Sequence, residues 1–309
     1  MLTANDYVYE VYKEKSFTLA AKKLFVSQPA LSASIKKIET EIGAKIFDRS
    51  TSPITLTEAG KAYIEALEQI YATEENLKNR INDINDLKTG SVSIGGSNFM
   101  SSCVLPDIIT NYAAKYPGIT LNVVENTSEN LKKLVLDGEI DVVIDYDFND
   151  KEFTSFPLKE EIIYLSASKS SRVAESFGDC TLTANDIIKG NTEKQSIDLK
   201  LLSDEKFLLL KKGNDMEMHA TKLFKEAEIY PQTFLMLDQM MTSYALTKRG
   251  LALTFVTDTL IKANPSDDCV FFRIASPYAA RTISIAHKKN RYVGKCLSAF
   301  IDVTRETVK

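Results

Sequence analysis

The residues best placed to do chemistry lie between Ser27 and Lys37, in the run SQPALSASIKK. The run reads as the start of a helix with Ser27 as N-cap and Pro29 in the first turn, where a missing N–H costs nothing. Leu31, Ile35, Ile38 and Ile42 recur at i, i+4, i+7 and i+11 and form one inward stripe. At about 100° per residue, the opposite face carries Pro29, Ala33, Lys36 and Lys37, flanked by Ser32. That face is small and polar at its start and basic further on. It suits a helix that presents its N-terminal residues to base edges and its lysines to phosphates. The competing reading is an ordinary amphipathic helix pair with a solvated basic face.

Several elements must hold this helix in place. A helix over residues 18–24 precedes it, with Ala20 and Ala21 allowing close approach of a neighbour, and the turn Phe25-Val26-Ser27 joins the two. An earlier helix over 5–14 packs through Tyr7, Val8, Val11 and Tyr12, and Gly43 is the expected C-cap of the basic-faced helix. Residues 44–49 and the alternating 54–57 then flank a Ser/Thr/Pro tip, which predicts a hairpin or wing with Arg49 at its base, placed to reach a phosphate. From Thr57 to Thr89 the pattern becomes one long helix. Tyr63, Leu67, Ile70, Glu74, Leu77, Ile81 and Ile84 mark a heptad seam that needs a partner helix to be stable in water.

Beyond Gly90, strands and helices alternate. Strands are expected at 92–95, 119–125, 141–145, 162–167, 207–210, 234–237, 251–255, 270–274 and 283–287. Helices are expected at 104–115, 129–137, 216–227, 240–248, 258–262 and 292–307. Such βα units build mostly parallel sheets covered on both faces, and about 220 residues is large for one sheet, so two lobes with a cleft are expected. The divisions are 1–57 for the head, 58–89 for the linker helix and 90–309 for the body. Its first lobe takes about 90–167 and 266–309, and its second about 168–265.

Composition narrows the class. A chain of 309 residues with 44% hydrophobic and 26% charged residues has room for two or three ordinary soluble domains. Its apolar runs are too short to span a bilayer and no charged-then-apolar leader precedes Tyr7, which predicts a cytoplasmic protein with no membrane partner. Residues 1–60 hold eight Lys/Arg and seven Asp/Glu, so a head of +1 rides on a body of −5. A head so weakly basic neutralises few phosphates and gains from acting in pairs. Cys103, Cys180, Cys269 and Cys296 form no CxxC pair and are expected reduced and mostly buried; redox sensing by Cys180 has nothing else behind it. His219 and His287 lie far apart, outside any metal-ligand spacing, so neither metal nor cofactor is expected.

With head, linker and βα body in place, the chain resembles the LysR-type transcriptional regulators. The resemblance is carried by Ser16-Phe17-Thr18, Ala20-Ala21, Ser27-Gln28-Pro29, Ser32, Ile38-Glu39, Gly43, Phe47-Asp48-Arg49 and Leu56-Thr57-Glu58-Ala59-Gly60. In the body it is looser, through Ile94–Ser97, Leu105-Pro106, Tyr116-Pro117, 136–141 and 248–253. It implies an N-terminal all-α winged helix-turn-helix with a long linker helix, followed by a two-lobed α/β domain similar to type-2 periplasmic binding proteins. It further implies a homodimer through the linker, a homotetramer, and promoter DNA as partner. By the same resemblance Gln28, Pro29 and Ser32 reach base edges, with Ser27 and Ala33 in the same DNA-contacting set. Thr18, Lys36, Lys37 and Arg49 hold the backbone. Ala33 and Ser34 stand where many relatives carry an arginine and a longer polar side chain, so the operator preference of relatives does not transfer.

In open α/β lobes small ligands bind at the carboxyl ends of strands, near helix starts. Three such places are visible: Ser97, Asn98, Phe99, Ser101 and Ser102; then Thr127 and Ser128 after Asn126; then Thr254 and Phe255. Lys211 offers a cation, and Phe99 and Tyr146 an apolar wall, for a small polar or anionic effector. Ordinary N-capping by the serines and threonines is the competing explanation at each place. An α/β body can also be an enzyme or a cytoplasmic solute-binding domain with a fused interaction module. No GxSxG, phosphate loop or placeable acid–base pair argues for the enzyme.

Overall fold

The computed structural model describes residues 4–83 and 89–308. The chain divides into two compact units, Met1–Ile81 and Asn82–Lys309. In the first, α1 (Ala4–Glu14), α2 (Phe17–Lys23) and α3 (Gln28–Ile42) precede a two-stranded wing, β1 (Phe47–Asp48) and β2 (Thr55–Leu56), and the long α4 (Glu58–Asp83). Local chemistry sets these boundaries. Ser16 Oγ accepts from Leu19 N and Ser27 Oγ from Ala30 N, both at 3.3 Å, while Gly43 closes α3 at φ +72°, the left-handed region that favours glycine. Val8, Val11, Ala20, Leu31, Ile35, Ile46 and Leu67 are fully or almost fully buried in one core. Ile42 departs from the expected inward stripe and is 43% exposed. It is the last residue of α3, one turn past Ile38 and next to the cap.

The wing is fastened to the start of α4. Thr57 Oγ1 accepts from Gly60 N at 2.9 Å and donates to the Lys45 carbonyl. Gly60 lies so near the wing strand that a Cβ there would meet the Ile46 carbonyl oxygen at 2.0 Å, which no other residue tolerates. The heptad seam divides along α4. Leu67, joined by Ile64, is buried in the head's own core, and Tyr63 packs against it with its hydroxyl on Asn5 Oδ1 at 2.8 Å. Ile70 and Leu77 are 47% and 58% exposed and Glu74 between them is exposed. Ile84 and the Ile81 side chain lie outside the described residues.

The second unit opens with β3 (Gly90–Gly96), α5 (Asn98–Cys103), α6 (Leu105–Lys115), β4 (Ile119–Glu125), α7 (Ser128–Leu136) and β5 (Val142–Asp145). Next come β6 (Phe153–Ser168), α8 (Arg172–Ser176), α9 (Ala184–Lys189), β7 (Lys206–Leu210), α10 (Asp215–Glu226), β8 (Gln232–Leu237) and α11 (Met240–Thr247). The chain finishes with β9 (Thr254–Thr257), α12 (Asp258–Ala263), β10 (Cys269–Phe272), β11 (Ala280–Lys288) and α13 (Lys295–Thr307).

The two lobes share one long strand, β6. In the first lobe β3 pairs in parallel with β4 and β5, and β11 runs antiparallel between β5 and the first half of β6. The second half of β6 enters the other lobe, where it pairs antiparallel with β9 and β10, while β7 and β8 form a parallel pair. Separate cores fill the lobes, one around Ile94, Ile108, Tyr112 and Phe300, the other around Phe207, Leu223, Tyr244 and Phe271. The sheets are thus mixed rather than mostly parallel. The expected lobe boundary also moves, because β10 belongs with the second lobe and the return to the first comes at β11. Residues 153–161 had no strand signal, since FTSFPLKEE carries Pro157 and three charges. Pro157 is accommodated where the β6–β11 register shifts, a place where a missing N–H breaks no regular ladder.

Candidate functional site

On the head, Thr18, Ser27, Gln28, Pro29, Ala33, Lys36 and Lys37 are all exposed and Ser32 is half-buried. Neither Lys36 nor Lys37 has a carboxylate within ion-pair distance among the described residues, so both ammonium groups are available to an external anion. Arg49 is partly engaged. Its Nη1 donates to Ser32 Oγ at 2.9 Å, its Nη2 lies 3.4 Å from Glu39 Oε2, and its guanidinium stacks 4.6 Å from the centre of the Phe17 ring. Glu39, whose role sequence reasoning missed, also accepts from Ile46 N at 2.9 Å. Arg49 and Glu39 together lock the wing onto α3, which fixes the angle between the helix face and the hairpin. With two-fifths of its side chain exposed, Arg49 keeps donors for an external anion.

In the body, the ends of first-lobe strands, Arg281 on β11 and two second-lobe segments, 210–215 and 238–241, line a cleft of about 650 Å³. Ser97, Asn98, Phe99, Thr127, Ser128, Tyr146 and Lys211 all lie in this lining. Four expected residues do not. Ser101 and Ser102 fall on α5, a helix where a loop was expected, and their hydroxyls turn back to the carbonyls of Gly96 and Asn98. Thr254 and Phe255 are buried in β9, Thr254 Oγ1 donating to the Leu208 carbonyl at 3.0 Å. Ser97 and Thr127 cap their own helices at Met100 N and Asn130 N.

The charge balance of the cleft was not legible in the sequence. Glu125, Glu129, Asp145, Asp215 and Asp238 face Lys211, Lys212 and Arg281. Arg281 lies across from Glu161 in the β6–β11 ladder, its side chain 5% exposed. Its Nε donates to Glu161 Oε2 at 2.7 Å, its Nη1 reaches Asp215 Oδ2, and its guanidinium lies 3.9 Å from the centre of the Tyr146 ring. The Tyr146 hydroxyl donates to the same Glu161 oxygen at 2.8 Å. Lys211 pairs with Asp238 at 2.8 Å. Asp145, at the carboxyl end of β5, is 1% exposed, and burial raises its carboxyl above the usual range against the smaller opposing pull of Ser128 and Lys132. Asp145 Oδ2 has no hydrogen-bond partner.

Three of the four cysteines are half-buried and only Cys269 is buried, fewer than expected; burial pushes the Cys103 thiol up to about 11. Among the described residues no cluster of His, Cys, Asp and Glu could hold a metal ion, and no helix is long and apolar enough to cross a membrane.

Known proteins match both parts of the chain. Residues 2–61 match the bacterial regulatory helix-turn-helix protein model of the lysR family, and residues 85–309 match the LysR substrate binding domain. An uncharacterized HTH-type transcriptional regulator of Bacillus subtilis, YcgK, is 26% identical over 98% of this chain and 94% of its own. Among solved structures, a full-length OxyR variant from Pseudomonas aeruginosa superposes with a TM-score of 0.65 at 23% identity, over 99% of this chain and 95% of that one. Full-length CbnR complexed with its target DNA gives 0.59 at 22% identity, over 98% of each chain. Both structures share the fold of this chain from end to end. The chain is accordingly a DNA-binding regulator with an effector-binding domain, and it belongs to the LysR family of helix-turn-helix transcriptional regulators.

Proposed function

We propose that this regulator reads promoter DNA with Gln28, Pro29, Ser32 and Ala33 and holds the phosphate backbone with Thr18, Lys36, Lys37 and Arg49. The observation that carries the reading is the exposed face of α3: a capped N-terminus with small polar residues, then two lysines without acidic partners. It acts in the cytoplasm as a homodimer through α4, assembled further into a homotetramer, and catalyses no reaction. Ile70 and Leu77, large and exposed on α4 about one and three turns past the buried Leu67, support the dimer. A small molecule in the cleft, lined by Ser97, Phe99, Thr127, Tyr146 and Arg281, shifts the relation of the lobes and through it promoter binding or activation. The decisive experiment is a gel shift on operator fragments selected from genomic DNA, titrated with salt. Affinity is expected to fall steeply as salt rises, because phosphate contacts release counterions. A salt-independent or undetectable complex would refute DNA reading by this face.

A further inference from the structure

The buried and half-buried charged groups at the cleft do not balance. Asp145, Glu161 and Asp215 supply three carboxylates, and Arg281 is the one guanidinium among them. Arg281 is already spent on Glu161 and Asp215, and Lys211 on Asp238. The nearby Lys132 ammonium is committed to the carbonyls of Tyr146 and Asp147, at 2.9 and 2.8 Å. That leaves Asp145 Oδ2 with no donor, in a residue almost wholly removed from water yet part of the cleft lining. A buried carboxylate with one oxygen left unpaired is costly, and a cationic donor offsets the cost with a charge-assisted hydrogen bond. A simple anion entering the same space would meet five acidic side chains, with Lys212 the one lining cation for which no carboxylate lies within ion-pair distance among the described residues.

We propose that the effector carries a protonated amine and that this ammonium pairs with Asp145, so the cleft takes amino compounds in preference to their des-amino carboxylates. For amino acids, the carboxylate has a partner as well. α11 opens into the cleft at Gln239, Met240 and Met241 with no side-chain cap on its first amides, unlike α7 and α10, which Thr127 and Asn214 cap. The inference rests on the cleft being the effector site. It replaces the anionic effector expected from serines and threonines alone with one that is cationic at one end.

The test uses the full-length protein and a panel of proteinogenic amino acids, primary alkylamines and the matching des-amino carboxylates, read by thermal shift and then calorimetry. Two variants accompany it. Asp145→Asn removes the carboxylate while keeping the shape, and Asn98→Trp, at an exposed lining position, obstructs the cleft without touching Asp145. The expected result is stabilisation by one or more amines and not by their des-amino partners, lost in Asn98→Trp and weakened at least about tenfold in Asp145→Asn. Carboxylates that bind without an amine, blocked by Asn98→Trp but indifferent to Asp145→Asn, would overturn the amine inference and leave the cleft as effector site. Binding that survives both variants would overturn the cleft itself. A panel in which no amine stabilises the protein also overturns the inference.

Discussion

Gln28 and Asp145 mark the two extremes of what a single residue does in this protein. Gln28 is exposed at the first position of α3, its amide free to pair two ways with adenine. Gln28→Ala is expected to weaken binding to the selected operator by about 1–3 kcal/mol while leaving non-specific binding unchanged, measured by competition gel shifts. Asp145 is buried, and its carboxyl is raised by that burial. The native state therefore holds its proton at a pH where the unfolded chain has released it. The stability contributed by the neutral acid is full below the unfolded value of about 4 and is lost as pH rises through the higher native value. Asp145→Asn should flatten that decline and raise the ligand-free stability at neutral pH by about 1–3 kcal/mol, seen in thermal melts across the acid range. The exposure of the residues proposed to face bases could be read from the helical period, because they follow one another over the first two turns of α3. The Asp145 environment was not, because Arg281 and Glu161, across from each other in the sheet, stand 120 positions apart in the chain.

Among the elements, α4 does two jobs along its length. Its first turns complete the head's core through Ile64 and Leu67, and its later turns expose Ile70 and Leu77. Replacing Ile70 and Leu77 together by aspartate is expected to lower the assembly state in sedimentation while the melting of the head's core is unchanged. The heptad spacing was plain in the sequence, but spacing alone does not say which partner each residue meets. Tyr63 and Leu67 belong to the seam by period and to the head by packing. The same limit hid the start of β6, where Pro157 and three charged side chains obscured a strand that a register shift accommodates. Periodicity reports which face is apolar; it is silent where pairing is decided by a distant strand.

For the molecule as a whole, the net charge of −4 sits mostly on the body, and the head is nearly neutral. Affinity then comes from few phosphate contacts per head, multiplied by assembly. Lys36→Ala is expected to reduce the slope of log affinity against log salt by about 1 for each head engaged on the DNA, without changing which sequence is preferred. The two-lobed body was legible from alternating elements and the length of chain they occupied. Its lobe boundary was not, because nothing in the run of β10 says that it pairs with β6 in the second lobe. The late return of the chain to the first lobe carries a consequence for how the protein is made. The first lobe needs β11 between β5 and β6, and needs α13 in its core, yet both lie at the end of the chain, after the entire second lobe. On the ribosome the second lobe has all its strands in hand while the first still waits with a gap in its sheet. A chain ending at Ala279 should keep cooperative melting of the second lobe and lose the first, although residues 90–145 are all present; the part of the body synthesised earliest is the part that folds last.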